Sequence, residues 1–262
     1  MTIDQKTLDS LAEYLESAEL EAREVVKITD AHPQLTLDDG YAIQAAIRAR
    51  KEARGNQVAG LKAGLTSRAK MKQMGVEVPC FGLLFDYMSI ANGGDVKTSE
   101  LIHPKVEAEI AFVLKAPLRG PGCHVGAVLA ATDFVVPAVE IIDSRYENFR
   151  FDLVSVVADN TSSSRFVVGS VARGIEGLDL RTLGMVMEKN GEVVAMAAGA
   201  SVLGHPAEAI AQLANHLAAR GEEIPAGTYI MSGGATEAIP VAAGDSIQVR
   251  FQDLGSVSMR FV

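Results

Sequence analysis

The sequence predicts an α+β protein: a small, mainly helical N-terminal part, residues 1–75, packed on a larger β-rich body, residues 76–262. Three observations carry this expectation. Apolar residues in the first sixty positions recur at helical spacing. From Val58 the chain changes to short apolar runs punctuated by Gly and Pro. The closing residues alternate apolar and polar with the period of a half-buried strand.

Taken in order, Leu8, Leu11, Leu15 and Leu20 fall near one helical stripe. Thr36-Leu37-Asp38-Asp39 resembles a capping box, with Asp for the usual Glu, and opens a second helix that runs through Arg54 to the stop at Gly55-Asn56. Met185–Val194 carries Asn190-Gly191 between strand-like flanks, a hairpin signal. A late helix spans Pro206 to Arg220, with Ile210, Leu213 and Leu217 on its buried face and Gly221 as its stop. Ile247, Val249 and Phe251, then Val257, Met259 and Phe261, make two closing strands.

Composition narrows the function classes. Hydrophobic residues make up 48% and charged residues 22%, which describes a well-cored globular chain and not a disordered one. A net charge of −9 argues against nucleic acid or an anionic membrane as the main partner. The acidic N-terminus lacks signal-peptide character, and the apolar run VGAVLAATDFVVPAVEII is broken by Asp133, Pro137 and Glu140, short of the roughly 20 residues of a membrane helix. Two cysteines, Cys80 and Cys123, fit a reducing compartment, and the expected location is cytoplasmic. Signatures for dinucleotides, nucleotide phosphates, zinc proteases and nucleophile elbows are absent, and the five histidines have no metal-ligand spacing.

One segment breaks the ordinary grammar of a strand. In HPKVEAEIAF, Val106, Ala108, Ile110 and Phe112 alternate with Glu107 and Glu109, yet Ala111 and Val113 continue the glutamate face as apolar surface. The two carboxylates therefore stand side by side, about 6.5–7 Å apart along the strand. A third, Glu140, sits within the apolar run FVVPAVEIID. Buried ionised carboxylates need protons or cations. Two readings follow: salt bridges to Lys105, Arg119 or Arg145, or a shared divalent ion, for which an all-oxygen ligand set selects Mg²⁺ or Mn²⁺ over Zn²⁺.

HPKVEAEIAFVL, VVPAVEIIDSRYENF, VVADNTSSSRFVVG and GLKAGLTSRAKMKQMGV together resemble the fumarylacetoacetate hydrolase superfamily, in its hydratase and decarboxylase branch, over nearly the whole chain. The resemblance implies a mixed β-sheet or β-roll body and Mg²⁺ (or Mn²⁺) held by Glu107, Glu109 and Glu140. It also implies a catalytic Lys62 pointing at the substrate and a substrate-contacting Ser162, with Ser163 as the alternative. Read alone, Lys62 could equally be a snorkelling side chain, and Ser162 a turn former.

The hydratases carry Asp in a GVxxPDFG segment where this chain reads GVEVPCFG, with Cys80 in that place. Lys70, in SRAKMKQMG, either meets a second substrate carboxylate or is a solvated loop charge. DSRYENFRFDLVSVVADN also resembles the decarboxylases. The implied activity is metal-dependent decarboxylation of the dicarboxylate 2-oxo-3-hexenedioate to 2-hydroxypenta-2,4-dienoate in meta-cleavage degradation of aromatic compounds. The alternatives are hydration of that dienoate and a non-catalytic partner role. A homo-oligomer, a dimer in the first instance, and a complex with the cognate hydratase are the implied assemblies.

Overall fold

The computed structural model describes residues 3–68, 71–72, 76 and 78–262. Its helical layer opens with α1 (Gln5–Leu20), capped by Asp4, which accepts a 2.7 Å bond from the Thr7 N–H. Leu8, Leu11 and Leu15 are buried, but Leu20 is 64% exposed. At 3.6 residues per turn, Leu20 lies about a third of a turn off the line through Leu8, so the expected stripe loses its last member. After the short α2 (Ile28–Ala31), α3 (Leu37–Ala53) begins at the expected capping box: Thr36 and Asp39 each bond the other's backbone. Gly55 follows its C-terminus at φ +92°, where a glycine avoids the Cβ penalty. Ile43 and Ile47 of α3 pack on the α1 leucines as a separate small core.

The chain enters the larger sheet already at Val58. Its strands are β1 (Val58–Gly64), β2 (Cys80–Phe85), β3 (Ser89–Ile90), β5 (Lys105–Leu114), β6 (Thr132–Ile142), β7 (Ser163–Val168) and β10 (Tyr229–Met231), in the order β2-β1-β10-β5-β6-β7-β3. The short β11 (Ile239–Pro240) also pairs with β5. A second sheet runs β4-β13-β12-β8-β9, from β4 (Asp95–Val96), β8 (Gly184–Lys189), β9 (Glu192–Ala198), β12 (Ser246–Phe251) and β13 (Gly255–Phe261). β8 and β9 form the expected hairpin, with Asn190 and Gly191 both at positive φ, as a type I′ turn demands.

The main core lies between the sheets. Val106, Ala108, Ile110 and Phe112 from β5 share one cluster with Ile247, Val249 and Phe251 of β12 and Val257, Met259 and Phe261 of β13. Ile210 and Leu213 of the late helix, Pro206–Ala218, join the same cluster, while Leu217 packs on it half-buried. Two helices fall where the sequence reads as strands: α4 (Val125–Ala131) and α5 (Leu153–Ala158), so the late helix is α6. α4 passes straight into β6 at Thr132, with only the polar pair Thr132-Asp133 and no Gly or Pro to mark the join. His124 and His205 cap α4 and α6, accepting bonds from the N–H groups of Ala127 and Ala207. Among the described residues no helix is long and apolar enough to cross a membrane.

Candidate metal centre and active-site cavity

The β5–β6 ladder sets Glu107 directly opposite Glu140, with Glu109 opposite Ala138, so the three carboxylates form a triangle on one face of two neighbouring strands. One carboxylate oxygen from each lies within 4.8 Å of the others, and this is the one such group of potential ligands among the described residues. All three side chains are buried, Glu109 and Glu140 completely.

Lys62, on β1, is 2% exposed and brings its Nζ to 2.8 Å from Glu140 Oε2. The same ammonium donates a 3.1 Å bond to the Thr161 carbonyl. Burial alone would lower the Lys62 pKa, but Glu140 and Glu109 offset it and hold the amine above its ordinary value. Burial, then the charge of Glu140, raises Glu109 well above the carboxylate range. Burial also raises Glu140, against the pull of Lys62.

Two turns complete the enclosure. After β10 the chain leaves the ladder at Ser232-Gly233-Gly234, and the Gly233 N–H donates a 2.7 Å bond to Glu109 Oε2. A Cβ on Gly234 would stand 2.6–2.9 Å from the Glu107 carboxylate atoms, so any larger residue there displaces that carboxylate. The second turn is Asn160-Thr161-Ser162, with φ of +49°, +53° and +57° in succession. Such backbone costs of order 1 kcal/mol per residue and persists only when its surroundings enforce it. Here the Asn160 amide bonds both the N–H and the carbonyl of Leu83 at 2.8 Å. Arg145, buried, donates to the carbonyls of Asp143 and Ser163 at 2.7 and 3.0 Å and pairs with Asp159.

The structure therefore engages Arg145 with Asp159, and Arg119 with Glu223, not with the three glutamates. Thr161 Oγ1 and Ser162 Oγ are buried with no hydrogen-bond partner among the described residues, and both residues line the cavity in front of the triad. Ser163 instead directs its hydroxyl to Met88 Sδ at 3.8 Å. Cys80, a free thiol pushed up to about 12 by burial, lines the same cavity. Lys70 lies outside the described residues. Sequence reading missed the Gly233-Gly234 passage, Thr161 and the Arg145–Asn160 clamp. The adjacent glycines were the available signal for the first; for the left-handed turn the one signal is Asn160, a residue type that tolerates positive φ, since no glycine marks it.

The cavity holds about 430 Å³ and is bounded by Lys62, Glu107, Thr161 and Ser162 at one end. Lys62 sets one positive charge against Glu140 and Glu109, two completely buried carboxylates, which leaves a residual negative charge when both are ionised. Among the described residues Glu109 Oε1 and Glu140 Oε1 are buried without a hydrogen bond. An all-carboxylate donor set with free, desolvated oxygens fits a hard divalent cation, which cancels that residual charge.

Comparison with known proteins agrees with this chemistry. Residues 65–262 match the fumarylacetoacetate (FAA) hydrolase C-terminal family. The chain is 63% identical over 261 residues to a 4-oxalocrotonate decarboxylase of Pseudomonas sp. (strain CF600), covering 100% of this chain and 99% of the relative. It is 39% identical to a 2-hydroxyhexa-2,4-dienoate hydratase of Comamonas testosteroni, covering 98% of each. Among solved structures, the 4-oxalocrotonate decarboxylase from Pseudomonas putida G7, complexed with magnesium and adipate, superposes with a TM-score of 0.98. Its sequence identity is 60%, and the match covers 100% of this chain and 99% of that one.

Proposed function

The chain belongs to the fumarylacetoacetate hydrolase family, and from that premise we propose that it is a carboxy-lyase converting 2-oxo-3-hexenedioate (4-oxalocrotonate) to 2-hydroxypenta-2,4-dienoate and CO₂. The observation that carries this reading is the buried Glu107–Glu109–Glu140 triangle with Lys62 closing it, at one end of a cavity sized for a small diacid. The Pseudomonas putida G7 enzyme holds magnesium and adipate, the latter a six-carbon diacid of the substrate's length.

Glu107, Glu109 and Glu140 would hold Mg²⁺ or Mn²⁺. The ion supplies Lewis acidity toward the oxygens of a 2-oxo acid, favouring negative charge on the C2 oxygen. The C5–C6 bond breaks and C6 leaves as CO₂. The bonding pair moves into C4=C5, the C3=C4 pair into C2=C3, and the carbonyl pair onto the C2 oxygen, which takes up one proton from solvent to become the hydroxyl of the product.

The chain's own groups act around that flow. Lys62, held by the Thr161 carbonyl and Glu140, keeps a positive charge beside the developing anion. Ser162, with an uncommitted buried hydroxyl, hydrogen-bonds the substrate. Leu65, Ile142 and Val156 give the cavity an apolar lining that keeps water from the reacting carbons. Lys70 is assigned to the second substrate carboxylate. The free thiols are in keeping with a cytoplasmic enzyme, which is expected to form a homo-oligomer and to associate with its cognate hydratase.

The test is incubation with 2-oxo-3-hexenedioate, with Mg²⁺ and with EDTA, following ultraviolet absorbance and product mass. Mg²⁺-dependent CO₂ release with dienoate formation is expected. Hydration of 2-hydroxypenta-2,4-dienoate without CO₂ release from the diacid would place the chain with the hydratases instead. No turnover of either compound would leave it a partner subunit.

A further inference from the structure

The cavity changes character from its floor to its mouth. Lys105, Glu107 and Glu109 alternate on one face of β5, each about 6.5–7 Å from the next. Lys105 pairs across the ladder with Ile142, and Glu107 with Glu140, so the ladder steps from the acidic triangle to an ammonium beside an apolar side chain. Lys105, Phe149 and Phe151 line the cavity half-buried and Arg150 lines it exposed, so these four mark its solvent side, its mouth. A ligand matching this profile has a metal-seeking oxo acid at one end, an unsaturated carbon chain in the middle and an anion at the other.

The mouth is a built feature. Asn148 and Phe149 both adopt φ near the left-handed region, +56° and +58°, in a turn closed by bonds from Phe149 N–H to the Tyr146 carbonyl and from Arg150 N–H to the Glu147 carbonyl. That backbone sets Phe149 under Lys105, whose Nζ lies 3.8 Å from the ring centroid. His103 and Phe151 pack on the same ring at centroid distances of 5.1 and 5.8 Å. His103 is itself tethered by its backbone N–H to Asp143 and by Nδ1 to Glu24, 3.0 Å away.

We propose that Lys105, assisted by Arg150 and seated on Phe149, receives the distal carboxylate of the substrate and makes this site selective for dicarboxylic over monocarboxylic 2-oxo acids. The proposal rests on the decarboxylase reading above and adds a binding determinant on β5 to the one assigned to Lys70. A cation facing the carboxylate that departs stabilises the bound substrate and is relinquished as CO₂ forms, so its contribution falls on binding. Sharing the ammonium with the Phe149 ring moderates the ion pair, which would otherwise hold the charge in place and slow its loss.

The experiment uses the full-length Mg²⁺ enzyme and the variants Lys105→Met, Lys105→Arg and Arg150→Met, with Lys70→Ala for comparison. Steady-state kinetics on 2-oxo-3-hexenedioate are paired with calorimetric binding of adipate and hexanoate. Lys105→Met is expected to raise KM roughly tenfold, the scale of one charged hydrogen bond, while kcat changes by less than about threefold. Adipate affinity falls with it, hexanoate affinity does not, and Lys105→Arg recovers most of the difference. Unchanged adipate preference in both Lys105→Met and Arg150→Met overturns the proposal. So does an equal loss for adipate and hexanoate, which would make Lys105 a support of the cavity wall. The two ligands report even if wild type releases no CO₂, so failure of the decarboxylase reading stays distinguishable.

Discussion

Glu107 and Glu140 are direct partners across the β5–β6 ladder, two carboxylates placed where sheets normally avoid like charges. The pairing is enforced by a register that runs from Lys105–Ile142 to Val113–Phe134 without a break, so both side chains leave the same face of the sheet. Removing one charge from the cluster should therefore relieve the metal-free protein. In Glu109→Gln the amide oxygen can still accept from Gly233, and the metal-free melting temperature is expected to stay level or rise. The gain from Mg²⁺, of order 2.7 kcal/mol at a hundredfold excess over Kd in the native protein, should disappear. Differential scanning with and without Mg²⁺ reads both.

Lys62 and the divalent ion compete for the same negative charge. Lys62→Met is expected to lower kcat on the order of 10²–10³-fold, the scale for losing one electrostatic stabiliser. Mg²⁺ affinity should be retained or tightened, because a cation 2.8 Å from Glu140 has been removed. Calorimetric titration with Mg²⁺ checks the sign; weaker Mg²⁺ binding would contradict this account of Lys62.

Gly234→Ala forces a methyl into the Glu107 carboxylate. Mg²⁺ affinity should fall by about tenfold, the range seen when the surroundings of a metal ligand are disturbed. Gly184→Ala is the control, since its Cβ would meet only the Gln252 side chain at 3.6 Å, and its Mg²⁺ affinity should match wild type.

The left-handed turn gives a stability prediction with an internal comparison. Asn160→Ala loses two buried bonds to Leu83 and puts a poorly suited residue at φ +49°, for a cost of about 2–4 kcal/mol in denaturant unfolding. Asn160→Gly accepts the backbone angle and loses only the bonds, so it should be destabilised less. Both should lower kcat, because the Thr161 carbonyl that holds Lys62 is released.

His216 contributes a pH dependence. Burial, then the Arg220 guanidinium, lowers its pKa from 6.5 to about 4 in the folded chain. The unfolded chain takes up the proton first as pH falls, so the folded state loses stability between pH 6.5 and about 4 and keeps it fully above that window. His216→Gln should flatten the stability profile in this range, which urea unfolding at stepped pH measures.

What the sequence revealed depended on whether the physics was local. Thr36 and Asp39, Asn190-Gly191 and the alternation of Val106 to Phe112 are decided by neighbours in the chain, and each stands as expected. The three glutamates were legible because carboxylates in apolar runs are anomalous wherever they occur. The partner of Arg145, one of the bases that the salt-bridge alternative offered to the glutamates, was not legible: a buried arginine pairs with whatever the fold brings to it, and Asp159 arrives at the end of α5. Lys105 looked like a counter-charge for the glutamates, and only the folded loop 147–151 sets Phe149 beneath it. Leu20 fell off its stripe through a third of a turn that accumulates over twelve residues.

β10 stops at Met231 and β11 takes up the same edge of β5 only at Ile239. Between them the chain swings out through Gly233 and Gly234: its backbone bonds that of β5 at Ser232 to Ile110 and at Ala235 to Ala108, and the other links run through side chains, from the Gly233 N–H to Glu109 and from the Ala108 N–H to Thr236 Oγ1. Had those residues zipped on without interruption, backbone would fill the room between Lys62 and the glutamates. The pocket is in effect a deleted stretch of strand, and substitutions that encourage residues 232–238 to pair should silence the enzyme while making the sheet more regular.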